Sequence, residues 1–497
     1  MSMFELQLFL SESINRGGKL PLYKQIYEAI RKGILNRHIH IGTRLPSTRF
    51  IANEISVSRN TVMNAFDQLI AEGYLITRSG SGTFVADQLP DDLLEARVFS
   101  RTKTSNKNTS LREVSKRSES LSEAPLAFSR SGITSRIFQP CNSAIDEFPM
   151  DIWSRCLSKR IKTMPRINLN DGITKGFFPL RKAIAQYLGG SRGVRCDAEQ
   201  VLIVSGSQQG LDLSARVLMD ENDEIMFEDP GYLGARGAFL GAGLNPIPVP
   251  IDDEGIDLEE GKHRAKNARA IYATPSHQFP LGTVMSLSRR LEILEWANRN
   301  SAWIIEDDYD SEFRYDGKPL AALQGLDTNE RVIYVGTFSK VLFPSLRLGY
   351  LIVPKDLVSK FEKAIAFTTS HASLFDQMAL TEFIDQGHFG SHIRRMRAIY
   401  AERQKMLIDS INERLGDFLE IEKDDAGIHL IAWLRRNLDD QKVVEGFAKT
   451  GVYATPLSHY CVSEKLRDGI LFGYSGVNRR ELDLNIIKLQ TVLGSMV

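Results

Sequence analysis

Apolar residues recur every fourth position from Leu22 through Ile26 and Ile30 to Ile34, directly after Pro21. That spacing lines one face of a helix, and proline suits the first helical turn, where its missing N–H costs nothing. Ser47 is placed to cap a second, short helix over Thr48–Glu54. Ser58 is placed to cap a third over Asn60–Glu72, with Val62, Ala65, Phe66 and Leu69 on one face and Gly73 to end it. The pattern then changes. Tyr74–Thr77 and Thr83–Val85 are short strand-like runs flanking Arg78-Ser-Gly-Ser-Gly82, which predicts a β-hairpin with a flexible tip.

Beyond residue 86 the pattern is lost and then returns in another form. Arg101–Ser110 has no apolar residue, so it cannot bury enough surface to fold alone, and residues 87–123 are expected to be a linker. The spacing over Leu111–Leu121 permits a helix. From Pro125 onward apolar runs alternate with amphipathic helices. Val201–Val204, Glu224–Phe227, Ala270–Ala273, Trp303–Ile305 and Val332–Val335 are each bounded by turn or acidic residues. Such runs between helices predict a sheet covered on both faces, the α/β class. The expected layout is therefore a head over residues 1–86, a polar linker over 87–123 and a body over 124–497.

Composition changes this picture little. The chain has 497 residues, 42% hydrophobic and 25% charged, which fits two or three globular domains. No apolar run approaches the length of a membrane span. Met1–Asn15 carries acids and no basic stretch ahead of its apolar patch, which argues against a secretory signal and for a cytoplasmic protein. Cys141, Cys156, Cys196 and Cys461 are scattered without CxxC spacing and are read as free thiols. Net charge is zero, but residues 1–85 hold ten Lys/Arg against six Asp/Glu. That leaves the head at +4 and the remainder at −4, a mild sign of nucleic-acid binding at one end.

The second and third helices of the head form a helix–turn–helix. The third carries Arg59, Asn60, Thr61 and Asn64 near its N-terminus, where side chains reach base edges and phosphates from the major groove. A small helical domain with a solvated polar face would show the same spacing, but the residues go further. Leu45-Pro-Ser-Thr-Arg49, Ser58-Arg-Asn-Thr-Val62, Leu69-Ile-Ala-Glu-Gly-Tyr74 and Gly80-Ser-Gly-Thr-Phe84 resemble the GntR family of winged-helix regulators. The resemblance implies contacts to double-stranded promoter DNA from Arg44, Ser47, Arg49, Ser58, Arg59, Asn60, Thr61, Asn64 and the wing around Gly82.

Four segments of the body point to a cofactor. Ser205–Gly210 is a small-residue turn between a strand and a helix, which suits a phosphate at a helix N-terminus. Glu228–Tyr232 ends in a ring able to lie on a planar group. Glu306–Asp310 sets acids at a strand end, costly unless paired; a pyridinium nitrogen is one partner and a metal is the rival, disfavoured because no His/Cys ligand pattern lies nearby. Thr337-Phe-Ser-Lys340, with Arg347 seven residues on, places a lysine after a buried strand. An apolar setting there would favour Schiff-base formation with an aldehyde, and Ser339 and Arg347 could hold a phosphate.

Together these segments resemble the fold-type I, aspartate-aminotransferase-like, pyridoxal-phosphate-dependent enzymes over residues 125–497. The resemblance implies pyridoxal 5′-phosphate joined to Lys340 as an aldimine, with Asp307 at the ring nitrogen and Tyr309 at the ring hydroxyl. Ser207, Gln208, Thr337, Ser339 and Arg347 would hold the phosphate, and Tyr232 would stack on the ring. In Thr274–Gly282, where aminotransferases carry Asn-Pro near the ring hydroxyl, His277 and Gln278 are read as replacing that Asn. No metal is expected.

A GntR-type head on such a body is the architecture of the MocR/GabR subfamily, a multidomain fold of winged helix-turn-helix (α+β) plus α/β aminotransferase-like domain. That resemblance implies a cytoplasmic homodimeric transcription regulator rather than an enzyme. An amino compound, or pyridoxal phosphate itself, would act at Lys340 and alter the large domain, and the linker would pass the change to the heads. Arg236, His429 and His459 are candidate contacts for the effector. A working aminotransferase with an appended head, and a regulator without cofactor, are the alternatives.

Overall fold

The computed structural model describes residues 14–18, 20–90, 114–123, 137–140, 142–165, 172–316, 320–463 and 466–496. The chain divides into two compact units, Met1–Arg112 and Glu113–Val497. Much of the expected linker, Arg101–Ser110 included, lies outside the described residues, as do Cys141 and Met1–Glu12.

In the first unit, α1 spans Leu22–Leu35 and buries Ile26, Ala29, Ile30, Gly33 and Ile34. Helix α2 is Thr48–Glu54; the Ser47 hydroxyl accepts from the Phe50 N–H at 3.2 Å. Helix α3 is Arg59–Ala71, with the Ser58 hydroxyl accepting from the Thr61 N–H at 3.1 Å. Each cap satisfies a backbone donor that the helix itself cannot, so helix start and turn are set locally. Strands β1 (Leu75–Arg78) and β2 (Gly82–Val85) pair antiparallel, Leu75 opposite Val85 and Arg78 opposite Gly82. Val62, Phe66 and Leu69 meet Ile26, Ile30, Leu75 and Val85 in one core. Burial of each large apolar side chain contributes about 1.5–3 kcal/mol.

The second unit opens, among the described residues, with α4 (Lys116–Glu123). It is followed by α5 (Met150–Thr163) and α6 (Phe178–Arg192). Next come β3 (Val201–Val204), α7 (Ser207–Leu218), β4 (Glu224–Asp229), α8 (Leu233–Ala242), β5 (Asn245–Asp252) and β6 (Gly255–Ile256). They are followed by α9 (Leu258–Arg264), β7 (Ala270–Ala273), α10 (Leu287–Arg299), β8 (Trp303–Asp308), α11 (Leu323–Leu326), β9 (Val332–Thr337) and β10 (Gly349–Ile352). Together these strands form one sheet in the order β3-β10-β9-β8-β7-β4-β5-β6. The pairs from β9 across to β5 are parallel, while β10 runs antiparallel between β9 and β3. Its central strands are buried on both faces, as their unbroken apolar runs predict.

Strand β5 was hidden by its prolines. Pro246, Pro248 and Pro250 sit at every second position, so all three missing N–H groups fall on one side. The other side, with the N–H groups of Ile247, Val249 and Ile251, is left to pair with β4. Only the two-residue β6 borders the proline side, which is where proline is tolerated.

Helices α12 (Val358–Thr368), α13 (Leu374–Asp385) and α14 (His388–Leu415) lead to a second sheet. Its strands are β11 (Leu419–Ile421), β12 (His429–Leu434), β13 (Thr455–Pro456) and β14 (Gly469–Gly473), in the order β11-β12-β14-β13. Helices α15 (Asp440–Lys449) and α16 (Arg479–Gly494) complete it. Helix α4, expected around Leu111–Leu121, is seated on α8: Arg117 pairs with Glu221 at 3.1 Å and Leu121 lies over Gly241. Among the described residues no helix is long and apolar enough to cross a membrane.

Candidate functional site

The acids that end β8 are sorted by strand alternation. Glu306 accepts from the Leu323 and Gln324 N–H groups at 2.8 and 2.9 Å, at the start of α11. Asp308 pairs with Arg192 at 3.0 Å and accepts from the Tyr334 hydroxyl. Asp307 lies between them, and successive strand side chains point to opposite faces. Its Oδ2 accepts from the Tyr272 hydroxyl at 3.0 Å, while its buried Oδ1 has no hydrogen-bond partner. Burial pushes Asp307 up to about 7, with Tyr272 and Lys340 opposing and Asp308 adding to the rise. Three carboxylates divided in this way do not converge on one ion. Among the described residues no group of three His, Cys, Asp or Glu is arranged to hold a metal.

Asp307 lines a small cavity together with Ser207, Tyr232, Tyr309, Thr337 and Lys340. These six, drawn from four separate segments, were all expected at a cofactor. Tyr272, Thr274 and Phe279 complete the lining. Sequence reasoning assigned none of these three a role, though a tyrosine inside the apolar run of β7 was a usable signal. Lys340 follows β9 directly, and the Ser143 hydroxyl reaches the carbonyls of Ser339 and Lys340 at 3.1 and 2.8 Å, which pins that turn.

Beside the cavity an arginine meets a helix N-terminus. Gly206, at φ +92°, precedes α7, and a side chain there would meet the Arg347 guanidinium at 3.2 Å. Arg347 therefore lies over a helix N-terminus, where backbone N–H groups are unsatisfied. Its Nη2 donates to the Ser205 carbonyl at 3.2 Å. The Ser339 hydroxyl is buried without a hydrogen-bond partner, while its own N–H donates to Thr337 Oγ1 at 3.1 Å. Gln208 behaves differently from expectation: its side chain donates to the Gly234 carbonyl at 2.6 Å and braces the start of α8, away from the cavity lining.

The cavity lining corrects the reading of Thr274–Gly282. The residue before Pro280 is Phe279, and Phe279 lines the cavity, so a phenyl ring stands where an Asn-Pro pair would place an amide. Gln278 turns away, its Nε2 donating to Glu228 Oε2 and to the carbonyls of Pro230 and Phe279. His277 is buried behind Tyr309, not in the lining: its Nδ1 is 3.0 Å from the Tyr309 hydroxyl.

The three effector candidates are dispersed. Arg236, half-buried on α8, has a buried Nε with no hydrogen-bond partner and is not part of the lining. His429 is fully buried; its Nε2 donates to the Pro280 carbonyl at 3.1 Å, and burial, helped by neighbouring His277, pushes it down to about 3. It is therefore neutral and cannot neutralise a carboxylate. His459 packs its ring on Tyr460 at 5.5 Å, and Tyr460 packs on Phe279 at 5.1 Å, so His459 stands behind the wall of the cavity.

In the first unit Arg44, Ser47, Arg49, Ser58, Arg59, Asn60 and Asn64 are exposed, and Thr61 is half-buried under Ser58 at 2.8 Å. Gly82, at φ +113°, is approached by the Arg44 guanidinium to 3.1 Å from where a Cβ would sit, so Arg44 is held beside the turn end of the hairpin. Arg78 stacks its guanidinium on Phe84 at 5.0 Å.

Residues 22–85 match the family model described as bacterial regulatory proteins, gntR family, and residues 168–470 match aminotransferase class I and II. The chain is 40% identical, over 96% of its length and 95% of the relative, to the probable rhizopine catabolism regulatory protein MocR of Rhizobium meliloti. It is 31% identical to the pyridoxine biosynthesis regulator PdxR of Corynebacterium glutamicum, over 91% of each chain. The fold is similar to that of Pyrococcus horikoshii kynurenine aminotransferase, solved in complex with PMP. The TM-score there is 0.67 at 27% identity, covering 81% of this chain and 99% of that one.

Proposed function

The chain belongs to the gntR-family transcription regulators of the MocR/GabR subfamily, whose DNA-binding head is joined to an aminotransferase-like domain, and from that premise we propose that the cavity holds pyridoxal phosphate and reads an amino compound. The observation that carries this is Asp307: a buried carboxylate with one unpartnered oxygen, on the same cavity as Lys340. A pyridinium N–H satisfies such an oxygen and favours its charged form. When bound, the cofactor supplies an aldehyde carbon to which a primary amine adds, so an amino effector competes with the Lys340 amine.

The residues present fit that group. Arg347, the N-terminus of α7 and the Ser339 hydroxyl would bind the phosphate, and Ser207, Thr337 and Tyr232 would hold the rest of the group. Tyr309 would hold the ring hydroxyl, and Phe279 offers no amide beside it. This departure supports sensing over turnover, since one hydrogen bond to the reacting ring system is missing. Tyr232 begins α8, and α8 carries the linker helix α4 at its far side. A ligand that moves Tyr232 therefore acts on the helix that seats the linker. It shifts the protein only if it binds two states of the dimer with different affinity.

The effector is a small amino compound or pyridoxal phosphate itself; relatives named for rhizopine catabolism and pyridoxine biosynthesis support both. The protein works in the cytoplasm as a homodimer on promoter half-sites, with a head over residues 1–86, a linker over 87–123 and a sensor over 124–497. The likeness to a kynurenine aminotransferase supports a second reading, sustained transamination.

The test is the visible spectrum of the full chain with pyridoxal phosphate, before and after borohydride. A yellow band lost on reduction and absent in Lys340→Ala, with promoter binding altered by one amino compound only in the wild type, is the expected outcome. A colourless wild type, or a Lys340→Ala protein that responds to effector as before, overturns the sensor reading. Steady turnover with an amino donor and keto acceptor would select the enzyme.

A further inference from the structure

His277 is buried, yet polar groups surround it. Its Nδ1 lies 3.0 Å from both Asp310 Oδ2 and the Tyr309 hydroxyl, and its Nε2 lies 3.1 Å from Asp424 Oδ2. Burial raises Asp310, but the His277 beside it opposes that rise, and Asp424 is held low; ionised, each carboxylate only accepts hydrogen bonds, so each ring nitrogen carries a hydrogen. The ring is then an imidazolium held between two acids. Burial alone would strip its proton, but Asp310 and Asp424 outweigh burial and push His277 up to about 10. The other titratable neighbour is His429 of β12, ring to ring at 5.4 Å, which is neutral.

The backbone makes room for this arrangement. Gly282, at φ +82°, would bring a Cβ to 2.4 Å from Asp424 Oδ2, and Gly427, at φ +88°, to 2.2 Å from His277 Cε1. Asp424 is fixed in turn: its Oδ1 accepts from the Ala426 N–H at 3.1 Å and its carbonyl accepts from Gln404 of α14 at 3.0 Å.

The consequence follows from counting donors. With both ring nitrogens donating, the Tyr309 oxygen can only accept from His277. The Tyr309 O–H proton is then directed away from His277, and Tyr309 lines the cavity. We propose that His277 is a positioning residue: clamped by Asp310 and Asp424, it commits Tyr309 to donate toward the cavity and sets a positive charge behind the ring hydroxyl of a cofactor held there. The clamp also ties the cavity to the second sheet, because Asp424 lies on the segment that enters β12. The inference rests on the cofactor reading above, and its experiment has one arm that does not.

The full chain, His277→Gln and Asp424→Asn are loaded with pyridoxal phosphate and titrated spectrophotometrically. Loss of the buried cation raises proton affinity nearby, so His277→Gln is expected to move the midpoint of the long-wavelength band up by roughly one unit. Asp424→Asn keeps the ring and an acceptor at Nε2 but removes the negative charge. It is expected to bring the His277 titration down toward the ordinary range, seen as an added step in the band's pH profile. A wild-type midpoint and a single step in both variants overturn the proposal.

The second arm is thermal unfolding of the cofactor-free proteins. A histidine whose folded value is raised stabilises fully below its unfolded value of about 6.5. That stabilisation is lost as pH climbs toward about 10. The wild type should therefore lose melting temperature more steeply than His277→Gln across that window. Parallel curves overturn the clamp. A wild type without a visible band overturns the cofactor reading and the role at Tyr309, while this arm still decides the clamp.

Discussion

The head and the cofactor cavity solve opposite problems. In the head, the polar residues expected at DNA are almost all exposed, and eight of the nine are crowded into residues 44–64. Their geometry is set by neighbours: Ser47 and Ser58 cap the helices that present Arg49, Arg59, Asn60 and Asn64. In the body, Asp307, Tyr309, Thr337 and Lys340 are buried or nearly so and are brought together with Tyr232 and Ser207 from segments at least 75 residues away. An exposed arginine keeps its hydration until DNA arrives. A buried carboxylate has already lost its hydration, so its surroundings must be arranged in advance. Function on the head is a matter of local presentation, and function in the body a matter of tertiary compensation.

If that contrast is right, damage to one region should leave the other's readout intact. The largest expected effect is in the head's core. Phe66→Ala removes a buried ring from a small domain and should cost about 3–5 kcal/mol, enough to unfold the head. Promoter binding should vanish while the visible band persists; a band lost with it would break the separation. A smaller effect is expected from Arg59→Ala, about 1–3 kcal/mol of DNA affinity with no spectral change. A salt dependence reduced by about one ion would assign Arg59 to phosphate, and relaxed preference at one base pair would assign it to a base edge. Smallest is Gly82→Ala. An alanine at φ +113° is strained and crowds Arg44, so hairpin stability should fall by roughly 1–2 kcal/mol and DNA affinity several-fold. Unchanged affinity would remove Arg44 and the hairpin from the interface.

The same contrast explains what was legible. Helices α1 to α3 could be read because spacing and caps act within a few residues, and β3 and β7 because an unbroken apolar run has few other uses. Strand β5 was hidden because proline breaks most strands, and only its place beside the short β6 makes three of them acceptable. Strand β10 was hidden because four apolar residues after a turn carry no sign of direction. Residue type alone left three acids in a row that suggested either a cofactor or a metal, and the family resemblance singled out Asp307; strand alternation supplies the physical reason that separates it from Glu306 and Asp308. The misplacement of His277 has a similar origin. Its motif was recognised, but which residue of Ser276–Pro280 faces the cavity depends on how that turn packs on Tyr309, Asp310 and Asp424.

The sequence by itself determined that this chain has a GntR-type head and an aminotransferase-like body, and that Lys340, Asp307 and Arg347 are the groups to watch. These are properties of residue type and short-range order, which neighbours in the chain control. Only the tertiary structure decided which acid's unpartnered oxygen lines the cavity, that Phe279 and not His277 or Gln278 lines it, and that His277 sits between two carboxylates. Those outcomes depend on desolvation and on partners far away in sequence, such as the 147 residues between His277 and Asp424. Burial raises the energy of every unpaired charge, and only the folded chain brings the compensating groups within hydrogen-bonding distance.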